Sequence, residues 1–419
     1  MKSILLTTTA IVAFAGAAAA DGHSGISFAG NAELGFNDDS DFGEDGFYWD
    51  ADIDVTMSAA LDNGLTATAA FEIDVLDDAN EGAFTADEYV LSLESDTAGL
   101  FFGDTAFAAE TRWQSAGDME SDGFSEADGE NVIRGDVSLG GFDASVSYNV
   151  THAAGTDADN GGFVNGDIDD ALGLDDLEND EFVDQLSVGV AGDVGMFSMS
   201  VAYQEESVSV DAAAAAAAAI AALPDPTDAD AVDALVDTLV SGGVYAPSVA
   251  NGDFSNDEIF GISAGVSVAG ADITLAYASN ESADTSSTGI QVAYPIGPVT
   301  ATVYYVSEDD DTDEDNFGAT LAYSDGPIAV TLDYDNDQGL EKVNLDGSFD
   351  VGNGLTVVAG AQNENEGDDT DYYVGGTFDL GGGAEFLAVY ANDEDGDQED
   401  EIGDPEYLPG TTLEISFSF

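Results

Sequence analysis

The sequence predicts an all-β chain that closes into a transmembrane, antiparallel, up-and-down β-barrel with an even number of strands. Three observations lead there. The last nine residues, TTLEISFSF, place Leu413, Ile415, Phe417 and Phe419 on one face of a strand and Thr412, Glu414, Ser416 and Ser418 on the other. The same period of two runs through most of the chain, with carboxylates on the polar face. Tight glycine-rich turns alternate with long acidic connections, as in a meander whose turns gather at one end and whose loops gather at the other. A soluble sandwich also alternates along its strands, but its crossing connections do not segregate short turns from long loops.

The first twenty residues read as a secretory signal peptide. Lys2 gives a positive start, Ile4 to Phe14 an apolar stretch, and Ala18, Ala19 and Ala20 a small-residue cleavage site before Asp21. The apolar run is shorter than the ~20 residues a spanning helix needs, and no later run approaches that length. Residues 21–419 are therefore expected to cross a membrane as a barrel, if at all. Cysteine is absent, which excludes a disulfide scaffold and a thiolate metal site.

Acidic residues number 87 against four basic ones, and once Lys2 is removed only Arg112, Arg134 and Lys342 remain. Nucleic acid is excluded as a partner, because phosphate contacts need Lys and Arg. Cations are attracted instead. A hydrophobic content of 44% with 10% aromatics, regularly spaced, argues for a folded body rather than a disordered acidic chain.

Along the chain, Trp49, Ala51, Ile53, Val55 and Met57 alternate with Asp50, Asp52, Asp54, Thr56 and Ser58. Leu65 to Val75 repeats the pattern. Hairpin chemistry recurs at Asp62-Asn63-Gly64, Asp96-Thr97-Ala98, Gly140-Gly141, Gly192 to Gly195, Gly270-Ala271, Pro295-Ile296-Gly297, Asp325-Gly326, Gly352-Asn353-Gly354 and Gly381-Gly382-Gly383. Those turns, with first and last strands meeting at a seam, predict 20 strands from Ile26 to Phe419. Three connections are long: 106–131, 151–181 and 205–257. The last carries Asp211 before eight alanines, then Asp228 to Val240 with Val232, Leu235, Val236 and Leu239 on one helical face. Gly242-Gly243 follows, and a helical insertion in an external loop is expected.

The chain resembles the Gram-negative porin family, in particular porins of alphaproteobacterial type. The resemblance rests on ISFAGNAELGFN after the leader, the hairpin EYVLSLESDTAGLFFGDT followed by a long loop, the hairpin YYVGGTFDLGGGAEFLAVY and the terminal SFSF. It implies a homotrimer of water-filled pores in the outer membrane, in contact with lipid and lipopolysaccharide, for passive diffusion of ions and small hydrophilic solutes. It also implies that the third external loop folds inward as the constriction, and a count of 16 strands against the 20 read from the turns. Phe417 and Phe419 then stand as the C-terminal assembly signal.

The candidate constriction loop, 106–131, carries Glu110, Arg112, Asp118, Glu120, Asp122, Glu126, Asp128 and Glu130, with Trp113 as its apolar holdfast. On the strand that follows, Ile133, Gly135, Val137 and Leu139 take the lipid face, which puts Arg134 and Asp136 in the lumen. Lys342 faces inward by the same alternation. Rings of Asp and Glu favour cations, so a cation-preferring channel is expected.

No cofactor is expected beyond loop-bound Ca²⁺, for which Asp393, Asp395 and Asp397 are weak candidates without the full EF-hand spacing. The alternative reading is a secreted or surface calcium-binding adhesin-like β protein, which the missing Gly-Gly-x-Gly-x-Asp arrays count against. An enzyme is not expected. His23 and His152 are the only histidines, and without cysteine a nucleophilic site has little to stand on.

Overall fold

The computed structural model describes residues 24–38, 46–77, 85–127, 131–150, 185–207, 254–309, 314–364, 369–392 and 407–419. Twenty strands form one sheet. They are β1 (Ser24–Asn37), β2 (Gly46–Ala60), β3 (Thr66–Asp77), β4 (Thr85–Glu94), β5 (Ala98–Gly103), β6 (Val132–Leu139) and β7 (Phe142–Asn149). After them come β8 (Leu186–Val194), β9 (Phe197–Gln204), β10 (Ile259–Val268), β11 (Ala271–Asn280), β12 (Thr285–Ile296), β13 (Val299–Glu308) and β14 (Asn316–Asp325). The last six are β15 (Ile328–Asp337), β16 (Leu340–Gly352), β17 (Leu355–Glu364), β18 (Asp369–Gly381), β19 (Ala384–Asn392) and β20 (Gly410–Ser418).

Every strand pairs antiparallel with its sequence neighbours, and β1 pairs with β20 from Asn31↔Ser418 to Phe36↔Leu413. The sheet is thereby closed and has no free edge, the condition for spanning a bilayer with strands. The terminal Phe419 N–H donates to the Gly30 carbonyl at 2.9 Å, which finishes the seam. The strand count agrees with the nine short turns and corrects the 16 that the family resemblance implied. No helix among the described residues is long and apolar enough to cross a membrane.

Alternation places large apolar side chains on the outside. Leu139 is 79% exposed, Phe47 69% and Ile26 63%, and the same face continues through Leu275, Val303, Leu345 and Val374. That apolar area far exceeds the few hundred Å² a soluble surface carries, and it suits a hydrocarbon solvent. The dyad slips where bulges add a residue, at Ala51/Asp52 and Phe71/Glu72. In the β16–β17 turn Asn353 takes φ 57° between two left-handed glycines, a conformation Asn tolerates better than other side chains.

The signal peptide, the helical insertion and the Ca²⁺ candidates Asp393, Asp395 and Asp397 lie outside the described residues, as do Asp128 and Glu130.

Candidate functional site: the inward-folded loop

The interior apolar clusters are built from the loop between β5 and β6. Its residues Ala116 and Met119 pack with Ala276, Ala278 and Val306 of the wall, and Ala109 and Phe124 pack with Ala202 and Ile259. Trp113 touches both clusters. A segment whose apolar groups are buried against inward-facing wall residues lies inside the barrel.

The loop opens with the short helix α1 (Ala108–Arg112). At its N-terminal end the Ala108 and Ala109 N–H groups donate to Ser147 Oγ at 2.8 Å and Ser187 Oγ at 2.7 Å, wall residues on β7 and β8. These bonds satisfy helix donors that have no partner within the helix. The chain then runs along the wall to Asn316 of β14, whose Nδ2 donates to the Asp118 carbonyl at 3.2 Å and to Glu120 Oε1 at 2.9 Å. It returns through Ser121, whose N–H donates to Ser287 Oγ at 2.9 Å, and Ser125, whose N–H donates to Gln204 Oε1 at 2.7 Å.

Close approach is possible because three wall positions beneath the loop, Gly189, Gly261 and Gly289, carry no side chain. A Cβ at Gly189 would lie 2.2 Å from the Ala108 carbonyl oxygen, one at Gly289 2.1 Å from that of Ala116, and one at Gly261 2.5 Å from the Trp113 ring. Backbone cannot yield as a flexible side chain can. Gly289→Val is therefore expected to lift the loop and raise single-channel conductance while barrel strand content by circular dichroism stays the same. Unchanged conductance in a folded variant would show that this contact does not seat the loop.

Charge on the loop is unevenly shared. Arg134 Nη1 donates to the Ala106 carbonyl at 2.6 Å, its Nε stands 3.2 Å from Asp136 Oδ1, and its guanidinium carbon sits 4.9 Å above the Phe101 ring. Arg112 donates through Nε to Ser145 Oγ at 2.8 Å and reaches Asp136 Oδ2 at 3.8 Å. One carboxylate thus lies between two guanidinium groups, and both arginines tie the loop to the wall. Lys342 is 8% exposed and lies in register with Asp335 on β15.

Burial pushes Glu110 up to about 7, with Glu126 adding to the rise and Arg134 opposing it. Asp122 is also pushed up to about 7 by burial, against the hydrogen bond it accepts from Trp113 Nε1 at 2.8 Å. Glu120 is raised by burial as well. Asp118 and Glu120 of the loop and Asp337 of the wall bring one carboxylate oxygen each within 4.8 Å of one another, a donor set of the kind hard cations take.

Of the predicted site residues, the structure brings Glu110, Arg112, Asp118, Glu120, Asp122 and Glu126 into the lumen on one loop, with Arg134 and Asp136 as its tether; Lys342 lies apart on β16. Sequence reasoning missed the receiving wall: Gly189, Gly261, Gly289, Ser147, Ser187 and Gln204. A signal existed, since mid-strand inward positions on β7–β12 are mostly Gly, Ser, Ala and Gln where those on β2 and β3 include Asp50, Asp52, Asp54 and Glu72.

A closed barrel narrowed by an inward loop is the geometry of a diffusion pore, and the sequence profile of the Gram-negative porin family matches residues 7–243 and 233–398. The chain belongs to the Gram-negative porin family. Members are outer-membrane channels for passive diffusion, and this chain is one. Among solved structures, a five-substitution mutant of Rh. blastica porin is 12% identical, with 94% of this chain and 100% of that chain covered and a TM-score of 0.42. A second Rh. blastica porin mutant is 11% identical over the same shares with a TM-score of 0.41. A triple mutant of Rhodopseudomonas blastica porin is 12% identical, again over 94% and 100%, with a TM-score of 0.40. No match is found among curated proteins.

Proposed function

We propose that this porin is a cation-preferring pore that works as a homotrimer in a lipopolysaccharide-bearing outer membrane, after removal of residues 1–20. The observation that carries the preference is the state of the three cations left in residues 21–419. Arg112 and Arg134 are held on Asp136, and Lys342 is buried beside Asp335. Carboxylates, by contrast, line the arc of wall that the loop leaves open, among them Glu33, Asp54, Glu72, Asp346 and Glu414. A permeating anion meets fixed negative charge without an accessible positive counterpart, and a cation meets the reverse. Salt moderates the effect, because the Debye length is about 10 Å at 0.1 M and about 3 Å at 1 M.

The test is single-channel recording of the purified protein in a planar bilayer under a tenfold KCl gradient. A cation-selective reversal potential with conductance steps in groups of three is expected. Neutralising the loop with Glu110→Gln, Asp118→Asn and Glu120→Gln should lower the K⁺/Cl⁻ permeability ratio by roughly twofold, the remaining wall carboxylates holding the rest. A non-selective or anion-selective potential in the unmodified protein would overturn the reading.

A further inference from the structure

Three times among the described residues of the lumen a tyrosine lies across an inward glycine toward a carboxylate two strands away. Tyr48, Gly35 and Glu414 stand in register on β2, β1 and β20, and Tyr373, Gly360 and Asp346 on β18, β17 and β16. A Cβ on Gly35 would fall 1.9 Å from Tyr48 Cζ, and one on Gly360 2.3 Å from Tyr373 Cε1, so the rings occupy the space side chains would fill. The Tyr48 hydroxyl donates to Glu414 Oε2 at 2.8 Å and that of Tyr373 to Asp346 Oδ1 at 2.6 Å. The third row, Tyr304 over Gly318 toward Asp335, is covered by the loop at Gly117, whose Cβ would meet the Tyr304 ring at 2.4 Å. The loop packs on β7 to β14, so the other two rows lie on the opposite arc, along the open path.

At Tyr373 a second ring completes a corner. Tyr407 stands edge to face with it, centroids 4.9 Å apart and planes at 63°. Burial, then the charges of Glu385 and Asp346, push the Tyr407 phenol up to about 12, so the ring stays neutral across the working pH range. Two half-buried π faces set at an angle among carboxylates attract a soft, weakly hydrated cation, through the ring quadrupole and the fixed charge together. An inorganic ion gains mainly from the charge, and a neutral sugar only from stacking.

We propose that the Tyr373–Tyr407 corner is a docking step for organic ammonium ions on their way through the pore. The inference rests on the cation preference argued above and names the solute class that benefits from it.

The test compares choline with K⁺ under bi-ionic conditions in planar bilayers, with a tenfold KCl gradient run on the same channels. Relative to K⁺, choline should permeate about threefold better than its free mobility allows. Tyr373→Leu with Tyr407→Leu should return it to the mobility ratio and leave K⁺/Cl⁻ selectivity unchanged, while Tyr373→Phe keeps the excess. Should the leucine pair fail to assemble, Asp346→Asn with both rings intact should lower the excess instead. Choline passing at its mobility ratio in a K⁺-selective wild type overturns the docking step alone, as does an excess that survives in an assembled leucine pair or Asp346→Asn variant. Loss of K⁺ selectivity in the wild type overturns the proposed function and this inference with it.

Discussion

Trp113→Ala is expected to undock the inward-folded loop and raise single-channel conductance on the order of twofold, because conductance follows the free cross-section of a lumen that the barrel wall alone would leave wide. The ring touches both internal apolar clusters, lies over Gly261, and stacks obliquely on Phe124 with centroids 5.6 Å apart. Truncating a tryptophan in such a site costs about 3–5 kcal/mol from lost contacts and the cavity left behind. The loss is compounded at Asp122, whose carboxylate would stay buried without the indole N–H it now accepts. The barrel should still assemble, since strand pairing from β1 to β20 does not pass through the loop. Trp113→Phe keeps much of the packing and loses the hydrogen bond, so it should fall between. A folded Trp113→Ala channel with wild-type conductance would show that the hydrogen bonds to Ser147, Ser187 and Ser287 suffice to hold the loop.

Cation selectivity should climb as pH rises through about 7. Ordinary exposed carboxylates finish titrating near pH 4–5, so a change between pH 6 and 8 reports on buried carboxylates such as Glu110 and Asp122, both raised to about 7 by burial. Glu126 and Arg134 face Glu110; Asp118, Glu308 and Glu120 face Asp122. Both groups are neutral below the transition and charged above it, so the K⁺/Cl⁻ ratio is lower at pH 6 than at pH 8. Stability runs the other way. A pKa raised above its ordinary value of 4.5 or 3.8 means the docked loop binds protons more tightly than the undocked one. That contribution to docking is fully present below about pH 4 and lost as pH rises through about 7. Above pH 8 the channel should be more selective and show more frequent sub-states. Glu110→Gln with Asp122→Asn should flatten both trends, the Asn carbonyl still accepting from Trp113. A wild-type channel whose selectivity is constant from pH 6 to 8 would rule out a role for these two groups.

Much of the architecture is legible in sequence because it is set locally. Turn chemistry at Asp62-Asn63-Gly64 or Gly352-Asn353-Gly354 specifies a hairpin whatever lies elsewhere, and counting such turns arrives at the 20 strands observed. Alternation placed Arg134 and Asp136 inside and Ile133 and Val137 outside, as found. The role of Arg134 was not legible in this way. Its guanidinium ties down the Ala106 carbonyl across 28 residues, and nothing in the β6 pattern VIRGDVSL foretells that bond. The same holds for Arg112, read as a residue of the candidate constriction loop and found on Ser145 and Asp136.

The sequence by itself determined the barrel, its closure and which face meets lipid, because a period of two and a glycine-bearing turn act over a few residues and repeat along the chain. The tertiary structure alone decided where the loop lies and which carboxylates stay in water. Those outcomes depend on partners such as Ser121 and Ser287, 166 residues apart. They depend equally on the missing side chains of Gly189, Gly261 and Gly289, which open a seat for backbone that only closure of the sheet brings within reach.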